Sequence, residues 1–371
     1  MERKKYKLSD LLTIKNGRDY KHLEEGNIPV FGSGGYMLSR SSFLYDKPSI
    51  LLPRKGTLSN IQYYNKGKFW TVDTCFYSII NDELCDGYYL YRYLRNLDLS
   101  RYDTGASIPS MTQKTYNKIK VFLPSLPTQQ KISSILSSYD RLIENNTRRI
   151  RLLEQMAENL YKEWFVRFRF PEHEKVEMVN GLPKGWERKE LFDIADITYG
   201  YAFKSNKFCS DNSLNAVVRI RDIQNNSTET YTDESCDERY LIVRNALLIG
   251  MDGIFHMCLW NGERAYLNQR VVMLNSKYND MCNYLLYFAI RPQIKYWEQV
   301  IVGTTVAHLG DKHLKKIKVL IPDTNTLRVA NKLIESAMKE INDLQQQIQL
   351  LTRQRDLLLP RLMSGKLDVK S

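Results

Sequence analysis

"NKIKVFLPSLPT" (Asn117–Thr128) and "KKIKVLIPDTNT" (Lys315–Thr326) are near copies, 198 residues apart in a chain of 371. Each reads as a short strand that stops at a proline, which cannot donate to a sheet ladder. Each is followed by a long helical pattern. The match runs without a gap for more than 50 positions: Ile119 pairs with Ile317, Pro124 with Pro322, Ile143 with Ile341, Ile150 with Ile348 and Leu160 with Leu358. Upstream it continues with small changes of offset. Leu8, Asp10 and Gly17 echo Leu191, Asp193 and Gly200, and Leu51–Leu52 and Gly56 echo Leu247–Leu248 and Gly253. Shifting offsets mark loop insertions, so the pattern is a tandem duplication of a large unit.

Each copy opens with a short amphipathic segment and continues through strand-like runs separated by turn residues, such as "SILLPRKGT" and "ALLIGMDG". A helical run and the final strand follow. This predicts an α+β globule in each half: a first domain over 1–127, a spacer helix over 128–170, a linker over 171–185, a second domain over 186–322, and a second spacer helix with a tail over 323–371.

The helical patterns carry two apolar series each, seven residues apart. The first holds Ile132, Tyr139, Asn146, Leu153, Leu160 and Leu136, Ile143, Ile150, Ala157, Trp164. The second holds Ala330, Ala337, Leu344, Leu351, Leu358 and Ile334, Ile341, Ile348, Arg355, Leu362. Such 3-4 spacing over four heptads predicts a coiled coil, with Asn146 as a polar register device. Some 33 residues at about 1.5 Å each give a rod of about 50 Å. The simplest pairing is antiparallel about a pseudo-two-fold axis, one chain imitating a dimer that reads two half-sites. Trp164, Phe165 and Phe168 are expected as apolar surface awaiting a partner.

The net charge is +12, which favours a polyanionic partner. Residues 1–127 carry 19 Lys and Arg against 12 Asp and Glu, a net +7, whereas residues 186–322 carry 17 against 16, a net +1. No apolar run reaches membrane-spanning length, and the opening MERKKYKLSD lacks the apolar core of a secretory signal, which predicts a cytoplasmic protein with reduced cysteines. No phosphate-binding loop is present. "FGSGGYM" (Phe31–Met37) departs from a dinucleotide fingerprint and reads as a turn that lies near a ligand. The five histidines are scattered without metal-binding spacing, and no serine elbow or Cys–His signature appears. An enzyme is left only with a site assembled from scattered residues.

"LPSLPTQQKISSILSSYDRLIENNTRRIRLLEQMAENLYKEWFVRFRFP" resembles the central spacer of the DNA-specificity subunit of type I restriction–modification systems. "GLPKGWERKELFDIADI" is similar to that family's entry into its second recognition domain. The stretch ending in "LLPRLMSGKLDV" is similar to its distal spacer and tail. The resemblance spans the chain in family order. It implies a non-catalytic reader with two target recognition domains, each binding one half of a split site on double-stranded DNA. It also implies two methyltransferase subunits, which would hold the S-adenosylmethionine, and two motor–nuclease subunits, with no cofactor or metal in this chain. Reading and chemistry can sit on separate chains, because the target base must leave the duplex before methylation. The alternative is a two-headed coiled-coil scaffold without sequence-specific DNA binding.

The family has a loop near DNA that resembles "TGASIPSMTQKT" and "VGTTVAHLGDKH", which implies roles for Ser107, Gln113 and Lys114, and for Thr304, Thr305, His308 and Lys312. The same pattern also describes a capped turn ahead of a helix. Arg54, Lys55, Thr57 and Ser59 form a compact set of donors for phosphates or bases. Arg219 and Arg221 alternate along an expected strand and would share a face. Leu136, Ile143, Ile150, Leu153, Leu160, Trp164 and Phe165 on the first helix, and Ile341, Ile348, Leu351 and Leu358 on the second, are the candidates for helix pairing and partner contact.

Overall fold

The computed structural model describes residues 2–103, 105, 108–301, 307–367 and 369. It divides into two compact units, Met1–Asn145 with Ile348–Ser371, and Asn146–Gln347. The first unit starts with β1 (Lys4–Lys7), one helical turn α1 (Leu8–Leu11) and β2 (Leu12–Lys15). Next come β3 (Ile28–Gly32), β4 (Gly35–Arg40), β5 (Ser49–Pro53), β6 (Gln62–Tyr64), β7 (Trp70–Thr71) and β8 (Cys75–Ile80). Helices α2 (Gly87–Arg95) and α3 (Gln113–Asn117) precede the final strand β9 (Lys120–Leu123) and the long α4 (Leu126–Tyr161).

The core sheet has the order β2-β8-β5-β6. A second sheet, β4-β3-β7, contains the parallel pair β3–β7. β1 and β9 form a separate antiparallel ribbon with Lys4 opposite Leu123. Every residue of β5 is buried, which is why its sequence, SILLP, shows no polar alternation. α2 is started by Asp86, whose carboxylate accepts the Tyr89 N–H at 2.8 Å, and its last turn carries Arg92 and Arg95 beside the exposed carbonyls.

Past α4, a π-helical turn over Lys162–Val166 bends the chain back. A small hairpin follows, β10 (Met178–Val179) and β11 (Leu182–Pro183), turned by Asn180 and Gly181, both with positive φ. The second unit then repeats the first. Its strands are β12 (Glu187–Glu190), β13 (Ala195–Tyr199), β14 (Asn215–Val218), β15 (Tyr231–Thr232), β16 (Leu247–Gly250), β17 (Met257–Leu259), β18 (Tyr266–Leu267), β19 (Val271–Ser276) and β20 (Lys318–Ile321). Its helices are α5 (Leu191–Ile194), α6 (Asn283–Val300), α7 (Asp311–Leu314) and α8 (Thr324–Ser364). The sheets have the orders β13-β19-β16-β17, β15-β14-β18 and β12-β20, the same connections strand for strand. α8 starts where Asp323 accepts the N–H groups of Asn325 and Thr326, so an acidic cap does the work of the proline-containing entry to α4.

Both units contain an antiparallel pair of helix segments. In the first, Ile132 and Leu136 of α4 share a core with Leu362 and Met363 of α8, and Arg355 donates to Asp140 at 2.8 Å. In the second, Asn146 donates to Gln347 at 3.1 Å, and Arg149 lies 2.5 Å from Glu340. All twenty positions of the four heptad series are buried or half-buried, whereas most of their neighbours are exposed. Asn146, in the seam, is buried and satisfied by another amide, as the cost of an unpaired buried polar group requires.

The apolar surface expected at Trp164, Phe165 and Phe168 is not open. Phe165 is buried, and Trp164 and Phe168 pack against the core of the second unit. The π turn rotates the helix end so that Phe165, Phe168 and Phe170 close on Trp186, with ring centroids 5.8, 5.6 and 5.0 Å away. Leu362 and Met363 at the end of α8 play the corresponding part in the first unit.

Candidate nucleic-acid interface

In both units the loop after the central core strand meets the loop that precedes the last strand. In the first unit Lys55 bridges Ser110. The Gly56 N–H donates to the Pro109 carbonyl at 2.9 Å and the Met111 N–H to the Arg54 carbonyl at 3.0 Å. In the second, Asp252 bridges His308, the Gly253 N–H donates to Ala307 at 2.9 Å, and the Leu309 N–H to Met251 at 2.7 Å. Gly56 and Gly253 have φ of +90° and +72°, a conformation that side chains resist, so glycine is required at both turns.

The first loop pair gathers the candidates of its domain. Arg54, Lys55, Thr57 and Ser59 are exposed around the buried Leu58. Arg54 reaches the Asp73 carbonyl at 3.4 Å. Gln113 donates to Asn16 at 3.0 Å, which draws the β2 end into the same face, and Lys114 is exposed beside it. Thr112 caps α3 by accepting the Thr115 N–H at 3.1 Å, so the capped-turn reading holds for this loop. Ser107, Thr304 and Thr305 lie outside the described residues.

The second loop pair carries His308 and Lys312, both exposed. It also carries a residue that sequence reasoning missed. Asp252 lies 2.6 Å from His308 Nδ1 and 3.3 Å from Arg270 Nε, a carboxylate set between an imidazole and a guanidinium. Aligning Gly56 with Gly253, a one-residue change of offset, places Asp252 opposite Lys55 and was the available signal.

Arg219 and Arg221 do not share a strand face. β14 ends at Val218, and Ile220–Asp222 forms a 3-10 turn because the Asp222 carboxylate accepts the Arg219 N–H at 2.8 Å. The two side chains diverge: Arg219 lies over the Phe208 ring at 5.3 Å, while Arg221 donates to Thr230 at 3.0 Å.

The helix candidates fall on the paired seams. Leu136 and Ile341 are buried. Ile143, Ile150, Leu153, Leu160, Trp164, Ile348, Leu351 and Leu358 are half-buried. Burial pushes the Cys75, Cys85 and Cys258 thiols up to about 12 and Cys282 to about 11, so these are protonated packing groups rather than nucleophiles. Among the described residues no group of three or more His, Cys, Asp and Glu could hold a metal ion, and no helix is long and apolar enough to cross a membrane.

A duplicated α+β domain, each copy packed on an antiparallel helix pair and carrying a polar loop pair, defines a protein with two equivalent recognition domains. The family described as "Type I restriction modification DNA specificity domain" matches residues 2–155 and 183–353. The MjaIX specificity subunit of Methanocaldococcus jannaschii is 25% identical over 348 residues, 88% of this chain and 79% of that protein. The EcoBI specificity subunit of Escherichia coli is 28% identical over 196 residues, 51% of this chain and 41% of that protein. A crystal structure of a type I restriction–modification S subunit from M. genitalium has the same fold. Its TM-score is 0.73 at 16% identity, covering 100% of this chain and 97% of that one. The chain belongs to the type I restriction–modification DNA specificity family. It is therefore a DNA-recognising, non-catalytic subunit of such a system.

Proposed function

We propose that the chain reads a bipartite site on double-stranded DNA, one half through residues 1–127 and the other through 186–322, with α4 and α8 fixing the spacing. Two methyltransferase subunits holding S-adenosylmethionine dock on it in the cytoplasm, and two motor–nuclease subunits complete the cleaving form. The observation that carries this reading is the duplicated loop pair. The same two main-chain hydrogen bonds are built twice, bridging Lys55–Ser110 and Asp252–His308, beneath different side chains. A scaffold common to both units under differing polar tips is what two independent readers of different sequences require.

The test replaces residues 5–122 by the matching segment of a relative, leaving both long helices intact, and sequences the modified bases in host DNA. One half of the methylated motif changes and the other persists. A simultaneous change in both halves refutes independent readers, and stoichiometric methyl transfer by the purified chain alone refutes the division of labour.

A further inference from the structure

The turn in "FGSGGYM" is left unused by the loop pairs. It is the tip of the β3–β4 hairpin, with Phe31 opposite Tyr36 and Gly32 opposite Gly35, closed by Ser33 and Gly34. The tip is fastened to the loop that carries the cations. Asn60 donates to the Ser33 carbonyl at 2.7 Å and Gln62 to the Gly32 carbonyl at 3.2 Å. A Cβ added at Gly56 would stand 3.5 Å from Ser33 Oγ. The base of the hairpin is braced by rings: Phe31 meets Tyr36 edge-on at 6.3 Å and Tyr64 at 5.0 Å, and Tyr64 meets Phe69 at 5.3 Å.

On this braced tip Tyr36 is 63% exposed and Met37 48%. Ile108, from the opposing loop of the same face, is 60% exposed. Arg54 and Lys55 are exposed on the loop to which this tip is fastened, and among the described residues neither enters an ion pair. Apolar groups held out on a rigid turn that is tied to a loop of exposed cations match a ligand with flat apolar faces inside an anionic envelope. That ligand is duplex DNA: cations take phosphates, and rings and thioethers lie against base steps.

We propose that Tyr36 and Met37 are specificity-determining residues of the first reader, inserted into a groove against one base step. They discriminate by how readily that step opens and stacks on the ring. The second unit has no counterpart. There β14 and β15 are joined through 219–230, which presents Arg219 and Arg221 instead of an exposed ring. The proposal rests on the first domain being a DNA reader.

The experiment uses the full chain with its methyltransferase, comparing wild type, Tyr36→Ala, Tyr36→Phe, Met37→Ala and Arg54→Ala. Modified-base sequencing gives each variant's motif. A duplex carrying the wild-type motif, with the fluorescent base 2-aminopurine placed along one half, then measures affinity and unstacking. Tyr36→Ala loses at least about tenfold in affinity, relaxes one or two positions in one half of the motif, and abolishes the unstacking signal. Its salt dependence is unchanged, and its other half-motif is read as before, which shows that the chain is folded. Tyr36→Phe stays close to wild type and Met37→Ala falls between. Arg54→Ala weakens binding evenly and reduces the salt slope by about one.

A Tyr36→Ala protein with wild-type motif and affinity overturns the proposal. So does one that binds DNA normally but no longer assembles with the methyltransferase, which makes the tip a protein contact. A wild-type chain that directs no methylation at all overturns the reading of the whole chain, an outcome distinct from either.

Discussion

The two units share every strand connection, yet they hold their helices by different chemistry. In the first, Asp140 of α4 accepts from Tyr88 at 2.5 Å, from Arg92 and from Arg355 at 2.8 Å, and Arg92 also donates to Tyr88 at 2.9 Å. At the corresponding places, with the helices aligned at their N-caps Asp86 and Cys282, the second unit has Tyr284, Phe288, Met338 and Ala157. These lie at or beside a cavity of about 370 Å³ whose wall includes Tyr284, Met338 and Asn342. Its hydrogen bonds join neutral groups, Asn261 to Asn342 at 2.8 Å, Asn342 to Tyr284 at 2.9 Å and Tyr284 to Asn245 at 2.9 Å, and the lining Arg291 reaches Glu158 only at 3.8 Å. A duplicated fold thus fixes where a domain meets its helices and leaves open whether charge or packing makes the joint.

The largest effect that separates the two joints is removal of Asp140. Arg92 is 6% exposed, so Asp140→Ala leaves a guanidinium buried without a counter-charge, at a cost of about 3–5 kcal/mol. Hydrogen-exchange mass spectrometry of the variant shows lost protection in α2 and in the paired segments of the first unit, and unchanged protection in α6. Asn342→Ala, which breaks only neutral hydrogen bonds, costs about 1–2 kcal/mol in the second unit. Equal losses from the two substitutions erase the distinction.

The joint of the first unit is also the acid-sensitive one. Burial pushes the Asp140 carboxyl up, but hydrogen bonds from Tyr88 and Arg355 and the charge of Arg92 outweigh it and hold the group below the ordinary carboxylate range. A depressed carboxylate stabilises the fold above the unfolded value, near 3.9, and loses that contribution as pH falls through the folded one. Unfolding followed by denaturant between pH 7 and 3 shows the first unit weakening in acid, and Asp140→Asn flattens that dependence.

The readers differ by charge as well, on a smaller scale. Lys55→Ala removes an exposed cation and lowers the slope of log affinity against log salt by about 0.9. Asp252→Asn acts in the opposite direction, because it releases His308 and Arg270 from their carboxylate and increases the slope. Titration of DNA affinity over a salt series measures both. A common sign for the two changes places Asp252 away from the DNA.

These contrasts mark what was readable in the sequence. The duplication, the proline stops and the heptad seams are periodic, and each buries a face, so pattern alone located them. The turn at Arg219 was misread as strand because apolar–polar alternation continues through Val218, Arg219, Ile220 and Arg221, while the side-chain cap from Asp222 that ends the strand leaves no periodic trace. The role of Phe165 depended on the π turn after Tyr161, which a heptad template does not foresee. The loop pairs stayed invisible because Lys55 and Ser110, or Asp252 and His308, meet only after the sheets have formed. The hairpin tip gave a partial signal through its glycines, but nothing local set Ser33 against Gly56 and Asn60.

The smallest effect in the comparison belongs to His313 of α7, which stands where the first unit has Thr115. Its Nδ1 accepts the Gly310 N–H at 3.0 Å, and its ring lies against Trp297 with centroids 5.1 Å apart. Burial lowers its pKa, and Lys312, Lys316 and His308 lower it further. Protonation at Nδ1 would also end the bond to Gly310. The sign follows from the depressed value: below about 6.5 the unfolded chain takes up a proton that the folded unit resists, so stability falls with pH until the folded group titrates. The second unit therefore weakens slightly between pH 7 and 5, a window in which the carboxylate joint of the first unit is still ionised and intact. His313→Gln retains an acceptor on a side chain that does not titrate, and removes this slope from α7 while leaving the first unit untouched. Exchange rates in α7 and α3 over pH 5–7.5, corrected for intrinsic pH dependence, measure the difference. A wild-type α7 as insensitive as α3 refutes a neutral buried histidine at this position.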